Sequence, residues 1–169
     1  MALFSTTLIS PDVINALKEG YKVRPLELGD YDKGFLTTLG SLTTVGPVSK
    51  HEFAERFQYI KARNDTYFTI VVEDIKNRKI VAAGSILVER KFVHGCGLVG
   101  HIEDIVTSEA ARGLNLGRLI IETLKYIGQK TGCYKTHHHK IVDCSEKNIP
   151  FYNKCGFTQK ASSVYYYLL

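Results

Sequence analysis

Leu98-Val99-Gly100-His101-Ile102-Glu103-Asp104-Ile105-Val106, followed by Arg112-Gly113-Leu114-Asn115-Leu116-Gly117, decides the fold of this chain. The first run is rich in β-branched residues and predicts a strand. After the second, Leu116, Leu119, Ile120, Leu124 and Ile127 fall on one face of a helix reaching about Lys130. Strand, glycine turn and helix in that order bring unpaired N–H groups and the positive dipole end of the helix to the turn. A phosphate or pyrophosphate would be held there. Glu103 and Asp104 are neighbours in the strand, so their side chains point to opposite faces unless a bulge turns both one way.

Outward from this unit, helical and strand signals alternate with no repeat and no linker, as in an α/β or α+β domain. Upstream, the pattern predicts a weak turn or helix around Pro11–Lys18, a strand at Tyr21–Pro25 and a helix near Tyr31–Leu39 ending at Gly40. Ser49 with Glu52 three residues on is a capping box, and Phe53, Phe57 and Ile60 share one face of a helix over 49–62. Tyr67–Glu73 and Ile80–Glu89 flank a polar turn, as in a hairpin. Downstream, Lys140–Cys144 predicts a strand, Ser145-Glu146-Lys147-Asn148 a helix start, Gly156 its stop, and Ser163–Leu169 a β-rich tail.

At 169 residues the chain fits one domain, and 44% apolar with 23% charged residues excludes collagen-like, disordered and membrane-spanning compositions. The start, Met1-Ala2-Leu3-Phe4-Ser5, has no basic region before a long apolar core, so a cytoplasmic address is expected. Cys96, Cys133, Cys144 and Cys155 show no C-x-x-C spacing and are expected as free thiols. The net charge of +5 comes mostly from residues 91–169, which carry 10 basic against 6 acidic groups. That excess suits a phosphorylated ligand. The basic residues are too dispersed, and too little interleaved with aromatics, to suggest nucleic acid.

Arg112 through Gly117 resembles the pyrophosphate turn of the GNAT acetyltransferase superfamily, R/Q-x-x-G-x-G/A, with Asn115 where the first motif glycine stands. Five further segments are similar in order and spacing to the branch of that superfamily that acetylates glucosamine 6-phosphate. They are Leu42–Gly46, Glu89–His94, Gly100–Val106, Gly132–Lys135 and Asp143 through Phe157. The resemblance covers roughly residues 21–160, making 1–20 an N-terminal extension and 21–169 the N-acetyltransferase domain. It implies an α/β fold with a mixed central sheet, flanked by helices and splayed beside the acetyl-CoA site, in a homodimer. The implied reaction carries acetyl from acetyl-CoA to the 2-amine of glucosamine 6-phosphate, a step toward UDP-N-acetylglucosamine, without metal or covalent intermediate. Acetylation of another small amine or a protein N-terminus, and an inactive binding domain, are the alternatives.

Carried over residue by residue, the resemblance assigns Asp143 to the substrate amine, where a helix-capping aspartate is the plainer role. Glu103 joins it as a catalytic carboxylate. It assigns Tyr152 to the leaving thiolate, where a core aromatic is the plainer role. Thr43, Lys91, His94, Glu103, Asp104 and Asp143 surround the sugar phosphate, with Lys91 the expected phosphate partner. Ile105, Val106, Thr107, Arg112, Gly113, Leu114, Asn115, Leu116, Gly117, Arg118, Asn148, Tyr152 and Lys154 hold the CoA. Either arginine could equally be solvated at the surface. Two departures stand out: the tail Val164–Leu169 lacks the basic residue that the superfamily branch carries near its C-terminus, and Thr136-His137-His138-His139 intervenes before the Asp143 strand. That histidine run is expected as an exposed excursion with no metal, because alternate side chains of an extended segment diverge.

Overall fold

The computed structural model describes residues 1–138 and 149–157. Five strands form one sheet in sequence order: β1 Tyr21–Pro25, β2 Tyr67–Asp74, β3 Lys79–Arg90, β4 Leu98–Thr107 and β5 Cys133–His138. The first four are antiparallel, and β5 runs parallel to β4. Parallel neighbours need a crossover, which α5, Leu116–Lys130, supplies. The other helices are α1 Pro11–Ala16, α2 Phe35–Leu39, α3 Lys50–Lys61, the one-turn α4 Val93–Cys96, and α6 Ile149–Lys154. The sheet is mixed and flanked by helices, as the resemblance implies.

The apolar face of α5 explains its place. Leu116, Ile120, Leu124 and Ile127 are all fully buried against the sheet, and each contributes about 1.5–3 kcal/mol by leaving water. Gly84 of β3 makes the close approach possible: a Cβ there would stand 2.6 Å from both Ile105 Cδ1 and Ile120 Cγ2. Ala83 and Ser85 flank Gly84 and so point to the other face, where they share a cavity with Phe35 and Leu36 of α2 and Phe53 of α3. Helices therefore cover both faces.

Residues 1–20 contribute Leu3, Phe4, Ile9 and Val13 to this core, and Phe4 meets Phe68 edge-on at 5.2 Å. A buried ion network ties the same end together: Arg24 donates to both carboxylate oxygens of Asp30 at 2.7 Å and to Glu73 at 2.6 Å, while Lys33 reaches Glu73 at 2.8 Å. Burial pushes the Glu73 carboxyl up, but the bonds from Lys33 and Arg24 outweigh it and hold it below its usual range.

Two local expectations are corrected. Tyr31–Leu39 is not one helix: a 3₁₀ turn at Leu28–Tyr31 is separated from α2 by Gly34 at φ 80°, a left-handed residue that ends one helical path and starts another. Thr136, His137 and His138 are not an exposed excursion, because they pair with Gly100, His101 and Ile102 as part of β5. Side-chain size explains the pairing: Gly100 and Gly128 leave room for the Thr136 methyl, which a Cβ at either glycine would meet at 3.0 and 2.6 Å. The helix before Gly156 is described over Ile149–Lys154. The predicted Lys140–Cys144 strand, the Ser145 helix start and the Ser163–Leu169 tail lie outside the described residues.

Candidate active site

Between Ala83 and Ser85 the β3–β4 register shifts, so that Gly84 alone opposes Asp104 and Ile105. This is a β-bulge, and Asp104 adopts φ 54° within it. An aspartate tolerates that left-handed conformation better than a bulky side chain would. The bulge has the consequence the sequence allowed: Glu103 and Asp104 line the same cavity, of about 580 Å³. Thr69, Ser85, Phe35, Leu36, Leu39 and Phe53 also line it, and the remaining charged residues in its lining, among the described residues, are Glu52 and Arg56. Three carboxylates against one guanidinium favour a cationic ligand such as an ammonium. Desolvation against the cavity wall raises the Asp104 carboxyl above its ordinary value, although the residue stays open to solvent.

A second cavity, of about 500 Å³, begins at the next residue. Ile105, Thr107, Ala111, Arg112, Gly113, Asn115, Leu116, Gly117, Arg118, Phe151 and Tyr152 line it. Among the described residues none that lines it is acidic and two are arginines, and the N-terminus of α5 opens into the space, so an anion is favoured. Asn115 at φ 60° and Gly113 at φ 83° give the turn its shape. Asparagine is the side chain that best substitutes for glycine in that region, so the motif's backbone survives the replacement. Gly117 lets α6 close on the turn: a Cβ there would reach Phe151 Cζ at 3.3 Å. These features fit the elongated, polyanionic body of acetyl-CoA: an apolar lip, backbone donors at a helix start, and flanking cations.

Of the residues assigned from sequence, Ile105, Thr107, Arg112, Gly113, Asn115, Leu116, Gly117, Arg118 and Tyr152 come together in this second cavity. Arg112 also lies 3.4 Å from Glu109 at the surface. Val106 and Leu114 do not present side chains there, since Val106 is buried in the core and Leu114 packs against it, leaving only their backbone to a ligand. Lys154 is exposed and outside the lining. Asn148 and Asp143 lie outside the described residues. Tyr152 is half-buried, with Phe151 at 5.2 Å and Phe157 at 6.2 Å around its ring.

On the sugar side, Glu103 and Asp104 line the first cavity but Thr43, Lys91 and His94 do not. Thr43 is exposed on the loop between α2 and α3, its N–H bonded to the Leu39 carbonyl at 3.3 Å. Lys91 donates to Glu89 at 2.6 Å, and the other oxygen of Glu89 meets His101 at 2.7 Å. Those two contacts hold the Glu89 carboxyl below its usual range. His94 sits at φ 54° in α4, its ring 4.5 Å from that of Tyr134 and tilted by 42°. Burial raises the Cys133 and Cys155 thiols, which disfavours their thiolates. Thr69, Ser85, Arg56 and Phe151 are among the lining residues that sequence reasoning missed. Cross-strand register places the first two, and no local pattern in the sequence carries it.

Known proteins share this arrangement. Residues 34–157 match the model of the acetyltransferase (GNAT) family. The glucosamine 6-phosphate N-acetyltransferase 1 of Dictyostelium discoideum is 49% identical over 150 residues, 89% of this chain and 92% of its own length. The glucosamine 6-phosphate N-acetyltransferase of Candida albicans is 40% identical, over 83% of this chain and 91% of its own. The crystal structure of the Arabidopsis thaliana enzyme of that name superimposes with a TM-score of 0.83 at 40% identity, covering 88% of this chain and 99% of that one. The chain belongs to the GNAT acetyltransferase family, among the glucosamine 6-phosphate N-acetyltransferases.

Proposed function

We propose that this chain transfers acetyl from acetyl-CoA to the 2-amine of glucosamine 6-phosphate, giving N-acetylglucosamine 6-phosphate and CoA, and that it does so as a cytoplasmic homodimer supplying UDP-N-acetylglucosamine synthesis. One observation carries the reading. The acidic cavity ends at Asp104 and the basic, helix-capped cavity begins at Ile105, which suits the ammonium group of the acceptor and the anionic donor meeting at a single peptide of β4.

The amine must be unprotonated to attack. Glu103 and Asp104 orient the ammonium, and the raised Asp104 carboxyl accepts its proton more readily than an ordinary aspartate would. Asp143 completes this acidic group in the family's pattern. Backbone N–H groups of Leu116, Gly117 and Arg118, with Arg112 and Arg118, hold the pyrophosphate, and the backbone of Ile105–Thr107 lies along the pantetheine arm. Acetyl-CoA supplies the activated acetyl as a thioester. The Tyr152 hydroxyl donates to the sulfur as the C–S bond breaks, neutralising charge that appears only as the reaction proceeds. Lys91, released from Glu89, takes the sugar phosphate.

CoA release measured with glucosamine 6-phosphate, glucosamine and unrelated amines tests this. Strong preference for the phosphorylated sugar is expected. Equal kcat/KM for both sugars would leave only a general amine acetyltransferase.

A further inference from the structure

Ser85 lies directly across the ladder from Glu103, and Thr69 directly across from Ser85. These three cross-strand partners form a row over β4, β3 and β2, with strands about 4.8 Å apart, and all three line the acidic cavity. The two hydroxyls are 2.9 Å from one another. Their shared bond uses one hydroxyl proton, so the pair keeps a second proton and several lone pairs for a ligand. Phe35, Leu36, Leu39 and Phe53 in the same lining are apolar, and its other polar side chains are Glu52, Arg56, Tyr67 and Asp104.

We infer that Ser85, held by Thr69, reads a hydroxyl on the carbon adjacent to the amine-bearing carbon of the acceptor. With the amine at Glu103, a vicinal amino alcohol carries its oxygen two carbons from the nitrogen and toward the next strand, where Ser85 stands. The inference rests on the acceptor reading above and narrows it: the cavity selects 2-amino alcohols rather than amines in general. Ser85 and Thr69 determine specificity and take no part in moving the proton. A site that hydrogen-bonds a substrate hydroxyl rejects the analogue without it, because its own polar group is then left unpaired.

The test compares kcat/KM of the unaltered chain, Ser85→Ala and the near-isosteric Thr69→Val on glucosamine 6-phosphate and its 1-deoxy and 3-deoxy analogues. The unaltered chain is expected to lose roughly threefold to tenfold on one analogue, the worth of one hydrogen bond. Ser85→Ala should lose the same on the parent sugar and nothing further on that analogue, and Thr69→Val should show part of this pattern. Ser85→Ala slowing all three sugars alike, or keeping full discrimination, would overturn the inference. So would an unaltered chain that accepts all three sugars equally, with the functional reading left standing. An unaltered chain that acetylates none of them would refute the functional reading itself, and this inference with it.

Discussion

Gly84→Ala tests the link between fold and site at one atom. The added methyl would stand 2.6 Å from Ile105 Cδ1 and Ile120 Cγ2 and 3.1 Å from Leu124 Cδ1. Ile120 and Leu124 are fully buried, so neither can swing into solvent, and the strain falls on Ile105 and the bulge it shares with Asp104. Overpacking of this kind costs about 1–3 kcal/mol. Removing a glycine from the unfolded chain returns about 0.4–1 kcal/mol, leaving a net loss of about 1–2 kcal/mol. At about 2–4 °C per kcal/mol for a chain of this size, Tm should fall by about 2–8 °C. Calorimetry reads that shift, and initial rates read the second effect. Because Ile105 lines the donor cavity, KM for acetyl-CoA should rise. An alanine variant as stable as the parent, with unchanged KM, would refute both the packing account and the role of the bulge.

Asp143→Ala and Tyr152→Phe should each lower kcat by about 10²–10⁴-fold while leaving acetyl-CoA binding nearly intact, as steady-state kinetics would show. Arg24→Ala strands Asp30, which is fully buried and keeps, among the described residues, the Glu27 N–H at 2.8 Å and Lys33 at 3.7 Å in partial compensation; urea denaturation should report a loss of about 3–5 kcal/mol. The depressed Glu73 carboxyl gives stability that is complete above the ordinary carboxylate range and is lost as pH falls through its lower folded value. Glu73→Gln should therefore flatten the acid limb of a Tm-against-pH curve and leave its shape near neutrality unchanged. Chelator treatment should leave acetyl transfer at its full rate.

The strand, glycine turn and α5 were legible because each rests on local pattern: β-branched density, a permissive backbone at Gly113 and Asn115, and a 3.6-residue apolar repeat. The capping box of Ser49 and Glu52 formed as expected, with reciprocal bonds of 3.2 and 2.8 Å. What escaped depends on partners distant in the chain. Gly34 broke a continuous helical pattern by turning left-handed, and Thr136, His137 and His138 entered β5 because glycines on β4 and α5 made space for Thr136. At the site, the Glu103–Asp104 pair was readable as two alternatives, and only the β3 register at Gly84 selects the bulge. Ser85 and Thr69 are ordinary strand residues until that register sets them beside Glu103. Lys91 was legible as a cation, but its engagement with Glu89 was not.

The central claim is that donor and acceptor meet at the Asp104–Ile105 peptide. A crystal structure of the chain with CoA and N-acetylglucosamine 6-phosphate bound together tests it most directly. The account predicts the pyrophosphate on the α5 N-terminus, the sulfur within hydrogen-bond reach of the Tyr152 hydroxyl, and the product acetamide against Asp104 with the sugar over Ser85. A sugar bound outside the cavity of Glu103 and Asp104, or a CoA sulfur remote from Tyr152, would contradict it.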